Sequence, residues 1–320
     1  MIREHLLNAF ENPSERIHVS GVDFQNLSTK SPLHPQFPNS ARHPLTTRNP
    51  AEIPLFLASS RPIPDFQYQR SGHIQGKTAI ITGGAGPRGI GFATAKTFVA
   101  QGGRVAILDL DGEGAKRAAA ELGDGNIGIA CNVTDRADCQ RAVDEVIAAF
   151  GHLDILINNA GITQPVKVWD ISEADWQRIQ DVNLKGVLFM SQAVMPHMKS
   201  RHGGSIACMS SVSAQRGGGI LGGAHYSAAK AGVLGLAKAM ARELGGFNVR
   251  VNCVAPGLIQ TDINAGKISD ENRVKILEGI PLNRLGVPQD VANIFLFLAS
   301  DLSAYLTGNV IDVNGGMLIH

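Results

Sequence analysis

The sequence predicts an α/β fold, a doubly wound parallel sheet with helices on both faces. Three observations predict it. Short apolar, β-branched runs alternate with helical stretches from residue 76 to the C-terminus, the pattern of parallel strands joined by helical crossovers. The first run leads straight into a Gly-rich turn, Thr82-Gly83-Gly84-Ala85-Gly86-Pro87-Arg88-Gly89-Ile90-Gly91, and then into a helix. Asp109, Asn132 and Asn159 fall, like that turn, at the carboxyl ends of strands, where open parallel sheets bind ligands.

The elements follow in order. Residues 77–81 read as a buried strand and 92–100 as a helix. A strand, a Gly-rich turn and a helix together present backbone N–H groups and a helix N-terminus to a pyrophosphate. Gly83, Arg88, Gly89, Ile90 and Gly91 are the candidates for that contact. The second strand, 104–108, ends at Asp109, followed by Leu110, about twenty residues beyond the turn. A carboxylate there accepts hydrogen bonds from the adenosine ribose hydroxyls and repels a 2′-phosphate, so the cofactor expected is NAD. NADP is the alternative, because Arg88 in the turn is able to meet a 2′-phosphate. A helix at 113–122 and a strand at 127–131 lead to Asn132-Val133. Asn132 is placed to bond the adenine edge, to belong to the N-cap region of the helix at 137–150, where Thr134 or Asp135 stands first, or to do both. The fourth strand, 153–157, opens into Asn158-Asn159-Ala160-Gly161.

One long helix is expected over 176–199, with Asn183 inside it, where an Asn is unfavourable unless its side chain has a task. The strand at 204–209 ends in Ser210-Ser211-Val212-Ser213, and a loop rich in Gly (Gly217, Gly218, Gly219, Gly222, Gly223) faces the substrate. The helix at 226–243 carries Tyr226 and Lys230, four apart and on one face. A phenol titrates near 10, and an ammonium within a few ångströms lowers that value. The pair therefore makes a general acid/base of tuned strength. Small residues along this helix permit close packing, within the fold or between subunits. A strand at 250–255 precedes Pro256-Gly257; the polar segment up to 285 is expected as a mobile cover. A helix at 288–300 and a strand at 308–313 complete the domain.

Residues 1–72 differ from the rest. Pro is dense there, periodicity is poor, and only 2–10 has a helical pattern. No apolar h-region marks a secretory signal, and Glu4, Glu11, Glu15 and Asp23 disfavour a transit peptide. The segment is either a disordered tail or an arm that packs on the domain or on a neighbouring subunit. The net charge of +1, without a basic run, excludes the footprint of a nucleic-acid binder. No apolar run reaches the length of a membrane span. The four cysteines form no CxxC and have no His cluster beside them, which points to buried thiols in a reducing cytoplasm and to no metal.

Six motifs thus occur in sequence: the Gly turn, Asp109, Asn158-Asn159-Ala160-Gly161, Asn183, the Ser cluster with Tyr226 and Lys230, and Pro256-Gly257. With them the chain from 76 to 317 resembles the short-chain dehydrogenase/reductase family. The resemblance implies a Rossmann-type domain at 73–320 with an irregular extension at 1–72. It implies a tetrad in which Tyr226 moves the proton at the substrate oxygen. Lys230 lowers its pKa and holds the nicotinamide ribose, Ser211 polarises the carbonyl, and Asn183 positions a relay water. Val133, Asn159, Ala160, Gly161, Pro256, Gly257, Ile259 and Thr261 are implied cofactor contacts. Two departures stand out. The turn from Gly83 to Gly89 is about two residues longer than the family's usual one, and the family's spacing from Ser to Tyr lands on Ser213 rather than Ser211. Gln164, Arg216 and His225 flank the expected pocket as substrate contacts. The implied activity is interconversion of a secondary alcohol and a ketone by a homo-oligomer, dimer or tetramer, with a small molecule as substrate. A 3-oxoacyl thioester reductase and a non-catalytic dinucleotide-binding protein are the alternatives.

Overall fold

The computed structural model describes residues 72–218, 221–262 and 270–320. Residues 1–71, with the expected helix at 2–10 and nearly all of the Pro-rich extension, lie outside the described residues. So do Gly219 of the Gly-rich loop and 263–269 of the expected cover.

The strands are β1 (Thr78–Thr82), β2 (Arg104–Asp109), β3 (Ile127–Ala130), β4 (Ile155–Asn158), β5 (Gly204–Met209), β6 (Val249–Pro256) and β7 (Val310–Val313). The helices are α1 (Ile90–Ala100), α2 (Gly112–Glu121), α3 (Arg136–Phe150), α4 (Glu173–Gln180), α5 (Gly186–Arg201), α6 (Val212–Arg216), α7 (Ala224–Leu244), α8 (Asp270–Glu278) and α9 (Pro288–Ala299). All strand pairings are parallel, in the order β3-β2-β1-β4-β5-β6-β7. The chain winds outward from β1 to β3, then returns to β4 beside β1 and winds the other way. Ligands bind such sheets where the winding reverses.

Both faces of the sheet are covered, so central strands are apolar without interruption; every residue of β1 and β4 is buried. Ile80, Leu108, Leu156, Ile206 and Val251 face one core, built with α3, α5 and α7. Ile81, Ile107, Ile157, Ala207 and Val254 face the other, built with α1, α2 and α9. Each large aliphatic side chain buried this way contributes ~1.5–3 kcal/mol. These layers fix the sheet and leave the loops at its carboxyl edge to hold the site.

Every expected strand is present, with ends shifted by a residue or two. Three local departures have physical causes. The expected helix at 176–199 is divided: α4 passes through a π-turn, Asp181–Lys185, into α5. Asn183 causes or exploits the wider turn, for its Nδ2 donates to the Ile179 carbonyl at 3.0 Å and to the Ile162 carbonyl at 2.9 Å. The Ser cluster opens a short helix, α6, which Ser211 caps by accepting from the Ser213 amide at 3.1 Å. The polar segment before residue 285 contains α8. No helix among the described residues is long and apolar enough to cross a membrane.

Candidate active site

The Gly turn leaves β1 with Gly83 at φ +70°, a conformation that favours glycine. A Cβ there would stand 2.8 Å from Ala160 Cα, and one on Gly91 would stand 2.5 Å from the Gly83 carbonyl oxygen. The turn is braced from β4. Asn159 Nδ2 donates to the carbonyls of Thr82 and Gly83, both at 2.9 Å. Thr82 Oγ1 accepts from the amides of Asn159 and Ala160, both at 3.0 Å. The Asn159 amide, expected as a cofactor contact, is thus spent on the turn. Thr82 is a site residue that the sequence reading passed over, although it heads the motif. Gly89 precedes α1 without a side-chain cap, and the first turn of α1 holds no acidic residue. Among the described residues, its N–H groups and the positive end of the helix dipole thus have no capping side chain and no carboxylate in the first turn.

The extra residues of the turn leave Gly86, Pro87 and Arg88 exposed. Arg88 Nε pairs with Asp262 Oδ1, from the loop after β6, rather than reaching Asp109. Asp109 is held at the end of β2: Oδ2 accepts from the Ala85 amide at 3.0 Å and Oδ1 from the Asp111 amide at 3.1 Å. Leu110 beside it is 76% exposed. Asn132 Oδ1 accepts from the Thr134 amide (3.1 Å) and hydroxyl (2.8 Å), so that oxygen shapes the turn, while Asp135 caps α3. Val133 packs against Gly186. Pro256 ends β6, the Gly257 amide donates to the Val313 carbonyl at 3.0 Å, Ile259 is buried against Gly286, and Thr261 is half-buried. These residues fit a dinucleotide: a cradle that side chains would fill, an uncapped helix N-terminus, and a fixed carboxylate at the end of β2.

The second half of the site lies at the start of α7. Tyr226 is half-buried, with its ring against Gly222; a Cβ on Gly222 would stand 2.6 Å from the ring. The Ser211 hydroxyl lies close enough to the phenol to favour its ionised form. Lys230, one turn on, is only 2% exposed. Its Nζ donates to the Met209 carbonyl at 2.9 Å and lies 5.8 Å from the centroid of the Tyr226 ring. Burial lowers the Lys230 pKa to about 8. Burial raises the Tyr226 pKa, and the Ser211 hydroxyl lowers it in part. The sequence reading assigned that lowering to the Lys230 ammonium. Here Ser211 supplies it, because the ammonium is turned to the Met209 carbonyl. Ser211, not Ser213, meets the phenol. Asn183 is fully buried in the π-turn, and its Oδ1 accepts from the Ile162 amide at 3.3 Å. Gly161 lies between the two halves: a Cβ there would stand 2.7 Å from Asn183 Oδ1 and 3.4 Å from Lys230 Nζ.

Gln164 and His225 do not present their polar heads to a substrate. His225 Nε2 meets Gln164 Oε1 at 3.0 Å, Gln164 Nε2 donates to Asp175 Oδ1 at 2.9 Å, and His225 is fully buried. The reason is their place in the fold, between the loop after β4, α4 and α7. Ser213 is buried at the start of α6 and Arg216 is exposed at its end. Among the described residues no group of three or more His, Cys, Asp or Glu could hold a metal.

The contact between Gly222 and Tyr226 gives a testable expectation. Gly222→Ala drives a methyl group into the ring and moves the phenol from Ser211. Turnover is expected to fall on the order of 10²-fold, as small misplacements at reacting centres do. NADH affinity, read by fluorescence titration, should stay within about twofold.

Comparison with known proteins adds to this geometry. The model of the Enoyl-(Acyl carrier protein) reductase family matches residues 83–318. A short-chain type dehydrogenase/reductase of Sinorhizobium fredii is 66% identical over 251 residues, 77% of this chain and 99% of its own. The 3-oxoacyl-(acyl-carrier-protein) reductase FabG of Escherichia coli is 41% identical over 245 residues, 77% of this chain and 98% of its own. That of Thermotoga maritima is 42% identical over 250 residues, 77% and 99%.

Proposed function

Since the chain belongs to the short-chain dehydrogenase/reductase family, nicotinamide-dependent oxidoreductases of CH–OH and keto groups, we propose that it interconverts a secondary alcohol and a ketone with Tyr226 as general acid and base. The observation that carries this reading is the Tyr226 phenol set beside Ser211, with buried Lys230 one helical turn on and 5.8 Å from the centroid of its ring. In reduction the phenol, kept protonated by its burial, gives its proton to the substrate oxygen while Ser211 orients that oxygen. A nicotinamide held beside Ala160, Gly161, Pro256 and Gly257 would supply the hydride chemistry at the substrate carbon. Lys230, with its pKa near 8, returns a proton to the phenol, and Asn183, which borders Gly161 with it, positions the relay water.

We assign NAD as the cofactor. The Asp109 carboxylate, fixed by two amides, suits a free ribose 2′-hydroxyl, and Arg88 is engaged by Asp262. Gly83, Gly89, Ile90 and Gly91 hold the phosphates. Leu110, Asn132 and Val133 border the adenosine; Ala160, Gly161, Pro256, Gly257, Ile259 and Thr261 border the nicotinamide half, where Lys230 meets the ribose. The extension at 1–72 is an appendage to a catalytic domain at 73–320, a division supported by the family match beginning at residue 83. The protein works as a cytoplasmic homo-oligomer; four free, buried cysteines support a reducing compartment.

The second reading is a 3-oxoacyl thioester reductase, favoured by the two relatives of that name at 41% and 42% identity. One assay tests both. Secondary alcohols, polyols, ketones and 3-oxoacyl thioesters are offered with each nicotinamide cofactor, and cofactor absorbance is followed. Turnover of an alcohol or ketone with NAD at least ~10-fold above NADP supports the proposal, that ratio being the effect of about 1.4 kcal/mol of charge repulsion. Turnover confined to thioesters selects the second reading.

A further inference from the structure

Gln164 and His225 belong to a hydrogen-bonded chain that the proposed reaction leaves without a task. Its direction can be read from the groups themselves. The Asp175 carboxylate only accepts, so the Gln164 group facing it at 2.9 Å is the Nε2 amide. That leaves Gln164 Oε1 toward His225 Nε2 at 3.0 Å, and an oxygen acceptor there requires hydrogen on Nε2. Neutral His225 then has a bare Nδ1, which is buried and meets no donor among the described residues. Burial disfavours the imidazolium and keeps the ring neutral; Asp175 and its ion-pair partner Arg178 are the charged groups that act on it, in opposite senses.

Hydrogen bonds to the loop after β4 and to α4 pin the backbone just before Tyr226. The Gly223 amide donates to the Gln164 carbonyl at 2.9 Å, and the Thr163 hydroxyl donates to the Leu221 carbonyl. The His225 carbonyl accepts from Gln180 Nε2 at 3.0 Å, and Gln180 is the last residue of α4 before the π-turn that holds Asn183. The start of α7 has no side-chain cap of its own, since Gly223 precedes it. Its first turn, the one that carries Tyr226, is therefore held from outside, by the loop after β4 and by α4.

We infer that Gln164 and His225 are positioning residues that hold the Tyr226 phenol against Ser211 and in step with Asn183, an inference that rests on Tyr226 being the proton-transfer group. Only an N–H donor at position 225, facing Gln164 Oε1, is needed for this. A side chain without one cuts residue 225 from the Gln164 side chain in the loop after β4, which leaves the first turn of α7 on its backbone bonds alone and shifts the phenol relative to Ser211.

The test compares His225→Leu with His225→Gln, which keeps a donor, in the full chain with and without NADH. Two readouts are taken. One is the phenolate absorbance of Tyr226, isolated by subtracting Tyr226→Phe from a protein with three tyrosines. The other is steady-state turnover. In His225→Leu the Tyr226 titration should move up by about one pH unit and turnover should fall ~10–100-fold. KM and the NADH Kd should stay within about twofold, and His225→Gln should recover both readouts. Gln164→Leu cuts the chain from its other end and should reproduce the His225→Leu result, so the inference stays open to refutation if His225→Leu does not fold. An unmoved titration in either leucine variant overturns it, as does a His225→Gln protein as impaired as His225→Leu. If wild-type protein turns over nothing while the titration still shifts, the proposed reaction has failed and the positioning has not.

Discussion

Tyr226→Phe is expected to lower turnover by about 10²–10⁴-fold, the usual share of a general acid or base, with NADH affinity left within about twofold. The substitution removes one oxygen and keeps the ring that packs on Gly222, so the site keeps its shape. What disappears is the hydroxyl beside Ser211, the side-chain oxygen able to exchange a proton with substrate. The pH dependence follows from the same burial. A phenol with a raised pKa stays protonated through neutral pH, so reduction, which needs the acid, holds a plateau there and declines as the phenol ionises. Oxidation needs the phenolate and rises with pH over the same range. Initial rates in both directions, measured across pH for wild type and variant, check this. Opposite slopes that vanish together in Tyr226→Phe are the expected result. A variant that keeps the oxidation slope would remove Tyr226 from the reaction.

The parts of the site legible in the sequence are those whose signals are local. β1 and β4 are buried on both faces, so their runs are unbroken and apolar. The Gly turn lies between a strand and a helix within a few residues, and Asp109 ends a strand. The roles of Asn183 and Ser211 came through a family resemblance, because nothing near either residue specifies them. What stayed hidden depends on partners far along the chain. The wider turn at Asn183 rests on Ile162, 21 residues away. The Asn159 side chain, expected at the cofactor, is held by Thr82 and Gly83, more than 70 residues earlier. His225 looks like a pocket residue beside Tyr226 until Gln164, 61 residues upstream, claims its ring. Ser211 and Ser213 were not separable by counting. The separation needs α6, whose first turn sends the Ser213 amide to the Ser211 hydroxyl and leaves Ser211 beside the phenol.

Lys230→Met is expected to abolish most activity, again by about 10²–10⁴-fold, and to flatten the stability of the protein at alkaline pH. The ammonium is buried at the end of β5, where it donates to the Met209 carbonyl. Its pKa falls from an ordinary 10.5 to about 8. Below pH 8 the lysine is protonated in both folded and unfolded chains, and the folded one bears the full cost of burying the charge. Between 8 and 10.5 the unfolded chain holds a proton that the folded one has released, so stability rises with pH. Above 10.5 both are neutral and the cost is gone. The rise amounts to roughly 3 kcal/mol at about 1.4 kcal/mol per pH unit. Methionine has no such proton, and titrating groups that do not feel Lys230 act equally on both proteins. The urea-unfolding free energy of wild type minus that of Lys230→Met should therefore climb by roughly 3 kcal/mol from pH 7.5 to 10.5. Parallel curves would show that the lysine keeps its ordinary pKa, and then it could not return a proton near neutral pH. A climbing difference with lost turnover would mean that the fold tolerates a buried ammonium at a standing cost, because only a lysine poised near pH 8 can recharge the phenol.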